Sequence, residues 1–255
     1  MQKSSGMPGK NKSVLLLLFF CGLLLISAKR GSRIACKTPV PISVETKTVK
    51  SGNHYTIIYQ EKSKAGFVIE RPSRNDSSVV LCIAAAFTLL DDYTVDGLHI
   101  VNGEVMKKNK INKRVGGGVK IIGGKCTLLS TKKGKLINDS LITLIAGAKG
   151  SFFQQIMLIE NGAVSSFKDT ALFQRRAIVT MKNGATAVIE SFEHIRLSRF
   201  SGDLAELGVK DAIYTDMGSW DEGWYRNPKN CKTETIGRLR AQTSKQTNWF
   251  IFSRR

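Results

Sequence analysis

Three AsnGly pairs, Asn102–Gly103, Asn161–Gly162 and Asn183–Gly184, each stand between short apolar runs, and they limit this chain's fold more than any other feature. Asn and Gly tolerate the positive φ required at the centre of a type I′ turn, whose twist matches two antiparallel strands. GLHIVNGEVM, SFFQQIMLIENGAV and RRAIVTMKNGATAVIE therefore read as strands turning through AsnGly. GGGVKIIGGKCTLLST repeats the grammar with GlyGly at the turn. HYTIIYQ, AGFVIER, SVVLCIAAAF, DAIYT and TNWFIF add further apolar, strand-like runs. Two segments keep helical spacing instead. KLINDSLITLIAGAKG has Asn138 or Asp139 as a cap, and LSRFSGDLAELGVK repeats Leu197, Phe200, Leu204 and Leu207 on one face before Gly208. No Pro-rich linker interrupts the series. The expected fold is α+β: a strand-rich single domain of mixed or antiparallel sheet with a few packed helices.

The N-terminus carries a different signal. Lys3, Lys10 and Lys12 precede an apolar run from Val14 to Ile26, closed by Ser27 and Ala28, which is the layout of a secretory signal. That run is shorter than the roughly 20 residues of a bilayer span, while the LysArg after Ala28 suits an uncleaved anchor. The expected organisation is residues 1–28 as signal peptide or N-terminal anchor, 29–50 as a basic leader or linker, and 51–255 as the folded domain. Export follows, to periplasm, cell envelope or medium, with membrane contact only through the N-terminal segment if it is uncleaved.

The net charge is +19, and losing the signal leaves 36 basic against 20 acidic residues. The lysines are dispersed (KTVK, KKNKINK, TKKGK), with no zinc-finger spacing or RNA-binding aromatic motif beside them. A solvated basic surface is expected rather than a specific nucleic-acid site, and attraction to an anionic cell-envelope polymer stays open. Cys36, Cys82, Cys126 and Cys231 contain no CxxC pair, so neither zinc nor a redox dithiol is indicated. Cys82 reads as a small buried apolar residue, and no disulfide is expected. No metal and no cofactor are expected.

The chemistry concentrates in DMGSWDEGWYR, Asp216 to Arg226, directly after the strand DAIYT. A carboxylate at a strand end, followed by Gly218 and Ser219, is placed to face a cleft; a turn using Asp and Gly for local hydrogen bonds is the competing account. Trp220, Trp224 and Tyr225 interleaved with Asp221, Glu222 and Arg226 suit the stacking and hydrogen-bonding faces of a sugar, or else a core. His54, His99 and His194 are scattered and expected at exposed or edge positions, so a histidine-based triad is a poor fit. Glu190, Glu193 and His194 lack metal-binding spacing and read as a solvated turn. Arg175 and Arg176, adjacent on a strand, point to opposite faces. One faces solvent or a site and the other needs a carboxylate, an arginine fork being a natural holder of phosphate. Gln154 and Gln155 add polar groups to another strand.

The order GLHIVNGEV, MLIENGAV, RRAIV and DLAELGVKDAIYTDMGS resembles the phosphodiester glycosidase family, to which the mammalian mannose-6-phosphate uncovering enzyme belongs. The resemblance spans about Leu81 to Ser219. It places Asp216, Gly218 and Ser219 on the family's Asp-Gly-Ser motif and Arg175, with Arg176 next to it, on its Arg-Thr-Ala strand. AlaAlaAlaPheThr, Ala84 to Thr88, stands where AsnGlyGlyPhePhe is expected, Gln155 and Ile156 replace a Gly-Pro pair, and Met217 replaces a glycine. These departures mark a divergent bacterial branch. The resemblance implies a glycosidase acting on a glycan or sugar-phosphate substrate. Asp216 is then the central carboxylate and Arg175 or Arg176 the phosphate holder. Glu190, Asp221 or Glu222 supplies a second carboxylate. Gln154, Gln155, Gly218 and Ser219 are expected to contact the substrate, together with Trp220, Asp221, Glu222, Trp224 and Arg226, which lie past the shared motif. A glycan-binding module with lapsed catalysis and a basic binder of anionic polymer are the alternatives.

Overall fold

The computed structural model describes residue 36 and residues 38–255. The expected signal segment, residues 1–28, lies outside the described residues. The chain opens with β1 (Ile42–Thr48), β2 (His54–Gln60), β3 (Lys64–Val68) and β4 (Val79–Ala84). Next come β5 (His99–Val101), β6 (Glu104–Met106), β7 (Gly117–Ile122) and β8 (Lys125–Ser130). Helix α1 (Asp139–Gly147) leads to β9 (Ser151–Gln155), β10 (Met157–Glu160), β11 (Ala163–Val164), β12 (Arg176–Met181) and β13 (Thr186–Ser191). Helix α2 (Leu197–Glu206) precedes β14 (Val209–Tyr214), β15 (Gly223–Arg226), β16 (Thr233–Ile236) and β17 (Trp249–Ser253). This is the expected α+β, strand-rich single domain.

Among the described residues the strands form three sheets, ordered β1-β2-β13-β12-β14-β10-β11, β16-β15-β4-β17-β3 and β6-β5-β9-β7-β8. Every pairing among the described strands is antiparallel. The turn chemistry explains the hairpins. At Asn102–Gly103 the two φ values are 50° and 93°, the left-handed pair that a type I′ turn demands, and β5 and β6 pair directly across it.

Side-chain alternation then sorts the core. Ile58, Ile178, Val188 and Ile213 of the seven-stranded sheet meet Phe67, Leu81, Ile83, Phe250 and Phe252 of the second sheet and Val119 and Phe153 of the third. Their neighbours Ile57, Val179, Ile189 and Ala212 point the other way, onto Leu197, Phe200 and Leu204 of α2. The spacing expected for α2 is the face it buries. Asn138 caps α1, its side chain accepting from the Leu141 N–H at 2.9 Å.

Three expectations change. Ile42–Thr48, within the expected leader, is strand β1 and pairs along its whole length with β2; its alternation was masked by Thr, Lys and Glu on a half-exposed edge. Cys36 and Cys231 form a disulfide across 195 residues, Cα to Cα 5.6 Å, while Cys82 and Cys126 are buried and free. Spacing in sequence carries no information on such a pairing. His99 is buried rather than at an exposed edge, its ring against Phe67.

Candidate active site

Strand β14 delivers an apolar run, Ala212 to Tyr214, into the core and then stops, and the next nine residues thread a set of buried polar groups. The Thr215 N–H bonds the Arg176 carbonyl at 3.2 Å and the Asp216 N–H bonds the Ala85 carbonyl at 3.0 Å. These two bonds pin the end of β14 between β12 and the Ala84–Thr88 segment that follows β4. Asp216 is 6% exposed, and its Oδ2 accepts the Thr88 backbone N–H at 3.1 Å. Its carboxyl is pushed up to about 7, because burial disfavours the ion more than donation from Thr88 and Trp220 favours it.

The Ala84–Thr88 segment is held by Gln155, a candidate from the sequence, and by two residues that nothing in the sequence reading singled out, Gln246 and Asn248. Asn248, fully buried, accepts from the Ala86 N–H at 2.7 Å and donates to the Ala86 carbonyl at 3.1 Å and to Thr88 Oγ1 at 3.2 Å. Gln246 accepts from Thr88 Oγ1 at 3.2 Å and from the Trp220 indole N–H. Gln155 Nε2 reaches the Ala85 carbonyl at 3.4 Å. Asp216, Thr88, Trp220, Gln246, Asn248 and Gln155 thus form one buried polar constellation. A polar pair directly ahead of the apolar run WFIF was the available signal for Gln246 and Asn248.

Both arginines are buried and engaged. Arg175 donates to the Ile195 carbonyl (3.0 Å), the Tyr214 hydroxyl (3.0 Å), Asp169 (2.7 Å) and the Ala171 carbonyl (2.7 Å). The Tyr214 hydroxyl in turn donates a hydrogen bond to the Met217 carbonyl at 3.3 Å, so Arg175 braces the turn beyond Asp216. Arg176, with no exposed surface, bonds Glu190 through Nε at 2.5 Å and the Asp221 carbonyl through Nη2 at 2.8 Å. Its Nη1 has no protein partner among the described residues. The expectation that one arginine faces solvent or a site gives way to two buried arginines, each with a carboxylate.

Glu190 lies on β13, not in a solvated turn, and its Oε1 also accepts from Gln174 (2.9 Å) and the Gly237 N–H (3.0 Å). Burial pushes its carboxyl up while Arg176 opposes the rise. Gly237 is required there: φ is 82°, and a Cβ would stand 2.1 Å from the Asp221 carbonyl oxygen. Asp221 accepts from the Leu239 N–H at 2.6 Å, and burial raises its carboxyl too.

The rest of the expected site disperses. Glu222 pairs with Arg71 and Arg74; burial alone would raise its carboxyl, but the two arginines hold it below the usual range. Trp224 is fully buried with Val79, Cys82 and Trp249 on the second sheet. Arg226 donates to the Arg74 and Asp76 carbonyls at 3.0 and 3.1 Å. Gln154 clamps the backbone of Asn112 through both its amide atoms, each at 3.0 Å. Gly218 has open space where a Cβ would stand, and Ser219 is exposed, so both are free of the packing around Asp216. Among the described residues no three His, Cys, Asp or Glu side chains gather as a metal-binding group.

The fold and site together define a strand-rich α+β domain with a buried, unpaired carboxyl where three chain segments meet. No protein-family model matches the sequence, and no curated protein does. Among solved structures, the catalytic domain of zebrafish N-acetylglucosamine-1-phosphodiester alpha-N-acetylglucosaminidase, auto-inhibited by its pro-peptide, matches with a TM-score of 0.54 at 11% identity. The match covers 87% of this chain and 86% of that one. A hypothetical protein from Synechocystis matches with a TM-score of 0.52 at 11% identity, over 84% of this chain and 62% of that chain. At such identity the likeness is one of fold.

Proposed function

We propose that this protein is a hydrolase that cleaves the glycosidic bond of a sugar phosphodiester or related glycan, with Asp216 as its proton-transfer carboxyl. The observation that carries the reading is the state of Asp216: buried, held by neutral donors, and balanced near pH 7. A group so poised gives and takes protons at neutral pH, which general acid–base catalysis requires. The fold shared with a phosphodiester glycosidase supports the substrate class. Glycoside hydrolysis commonly uses two carboxyls, but Glu190 is engaged by Arg176 and Asp221 by Leu239. The reading therefore assigns proton transfer to Asp216 alone: as the carboxylate it takes a proton from the water that attacks the anomeric carbon, while the glycosidic C–O bond breaks to release a phosphomonoester, which needs little acid assistance. Arg175 and Arg176 take a positioning role in place of holding phosphate. The Cys36–Cys231 disulfide supports export to an oxidising compartment.

A second reading, a glycan-binding module without turnover, is favoured by one observation: the ion pairs of both arginines go to Asp169 and Glu190, not to the Asp216 site. One experiment separates the two. Purified protein is incubated with an N-acetylglucosamine-1-phosphodiester and a panel of glycosyl phosphodiesters, and free sugar is measured. Release by the wild type, reduced at least about 100-fold in Asp216→Asn with folding intact, supports the hydrolase. Binding without release supports the module. Equal release by Asp216→Asn removes Asp216 from the chemistry.

A further inference from the structure

A pocket of about 270 Å³ lies where β2 and β13 meet the segment that leaves β16. Thr56 and Glu190 contribute to its lining from the two strands, and Gly237, Arg238 and Arg240 from the segment. That segment is fixed in place: the Leu239 N–H donates to Asp221 Oδ1 at 2.6 Å, and the Leu239 carbonyl accepts the Asp221 N–H at 2.8 Å. Leu239 is absent from the lining while both its neighbours belong to it, which is the two-residue alternation of extended chain. Arg238 and Arg240 are thus presented on one side.

Each guanidinium is anchored without being neutralised. Arg238 Nη2 donates to the Phe192 carbonyl at 2.7 Å, and Arg240 Nη2 to the Gly237 carbonyl at 2.8 Å. Among the described residues neither arginine has a carboxylate within 4.0 Å. Both residues are exposed, and the remaining N–H groups of each fork have no protein acceptor among the described residues. The acids nearby are engaged. Glu190, the one acid in the lining, is buried and ion-paired with Arg176. Outside the lining, Asp221 accepts from Leu239, and Glu193 pairs with His54. The exposed charge that lines the pocket is therefore that of the two guanidiniums.

Two arginine forks on one side of a small cavity match the oxygens of a doubly charged oxyanion, which such forks bind through paired hydrogen bonds. The volume lies below the usual range for drug-sized ligands, which suits one such group with a small substituent. We infer that this pocket binds a single phosphate or sulfate group, held by Arg238 and Arg240. Asp216 is not in the lining, so the inference stands or falls apart from the proposed hydrolysis.

Isothermal titration at low ionic strength tests it with inorganic phosphate, sulfate and phenyl phosphate, and with glucose as the neutral control. Saturable binding of the anions is expected, with none of glucose. Arg238→Gln and Arg240→Gln, both exposed substitutions, should each weaken anion binding at least about tenfold, the worth of a charge-assisted hydrogen bond. Lys135→Gln removes an exposed charge outside the lining, and it should leave binding unchanged, as should Asp216→Asn. Tighter binding of phenyl phosphate than of inorganic phosphate assigns an esterified group, and equal or weaker binding assigns the free anion. Non-saturable binding, full affinity in either arginine variant, or an equal loss in Lys135→Gln overturns the proposal.

Discussion

Asp216 and Thr88 are joined by a single hydrogen bond, backbone N–H to carboxylate Oδ2 at 3.1 Å, although 128 residues separate them in sequence. That bond ties the end of β14 to the segment leaving β4, and it is a neutral group, not a cation, that meets the buried carboxyl. The energetics of the site follow from this choice of partner.

The first consequence is a pH-dependent stability. Folded Asp216 keeps its proton up to about pH 7, whereas an ordinary aspartate loses it near 3.8. Between these values the folded state binds more protons, so stability falls as pH rises and levels off above about 7. The displacement corresponds to at most roughly 4 kcal/mol. Asp216→Asn should remove the slope. Its urea midpoint is expected to exceed the wild type's at pH 8 and to match it near pH 4.

Asn248 is expected to act as a positioning residue. Asn248→Ala leaves the buried Ala86 N–H and carbonyl without their partner and should destabilise by about 2–4 kcal/mol. The discriminating readout is the pH midpoint of sugar release. Slackening the Ala84–Thr88 segment weakens Thr88 donation, which holds the Asp216 pKa down, so the midpoint should move upward. A lower stability with an unmoved midpoint would assign Asn248 a structural role only.

The Arg176–Glu190 pair should show strong coupling. Arg176→Met alone strands a buried carboxylate and is expected to cost about 3–5 kcal/mol. Adding Glu190→Gln should recover a large part of that loss, and a double-mutant cycle by denaturant unfolding measures the coupling. Additive losses would show that the two side chains do not depend on each other.

The disulfide closes nearly the whole domain. Cys231→Ser is expected to lower stability by about 2–5 kcal/mol. Alkylation of the unreduced, denatured protein followed by mass spectrometry should label Cys82 and Cys126 and spare Cys36 and Cys231. Labelling of Cys36 and Cys231 as well would rule the bond out.

The hairpins and α2 were legible in the sequence because each is fixed by local chemistry: AsnGly turns, alternating β-branched runs, and Leu197, Phe200 and Leu204 at helical spacing. Asp216 was legible as a carboxylate at a strand end. Its surroundings were not. Thr88, Gln246 and Asn248 reach it only through the pairing of β4 with β17, a contact between residues about 160 positions apart that no local pattern encodes. The same limit hid the partners of Arg175 and Arg176. Strand alternation put them on opposite faces, but not which carboxylate waits on each. The Trp220–Arg226 stretch read as sugar-binding because aromatic residues are interleaved with acids and an arginine there; Trp224 instead fills the cluster with Val79, Cys82 and Trp249, and Arg226 holds the Arg74 and Asp76 carbonyls.

The central claim is that Asp216 is a carboxyl held near neutrality. Carbon-13 NMR of protein labelled at the aspartate carboxyl, with Asp216→Asn used to assign the resonance, follows its titration directly. A midpoint close to pH 7 is expected. A midpoint near pH 4 would show an ordinary solvated carboxylate and contradict the account.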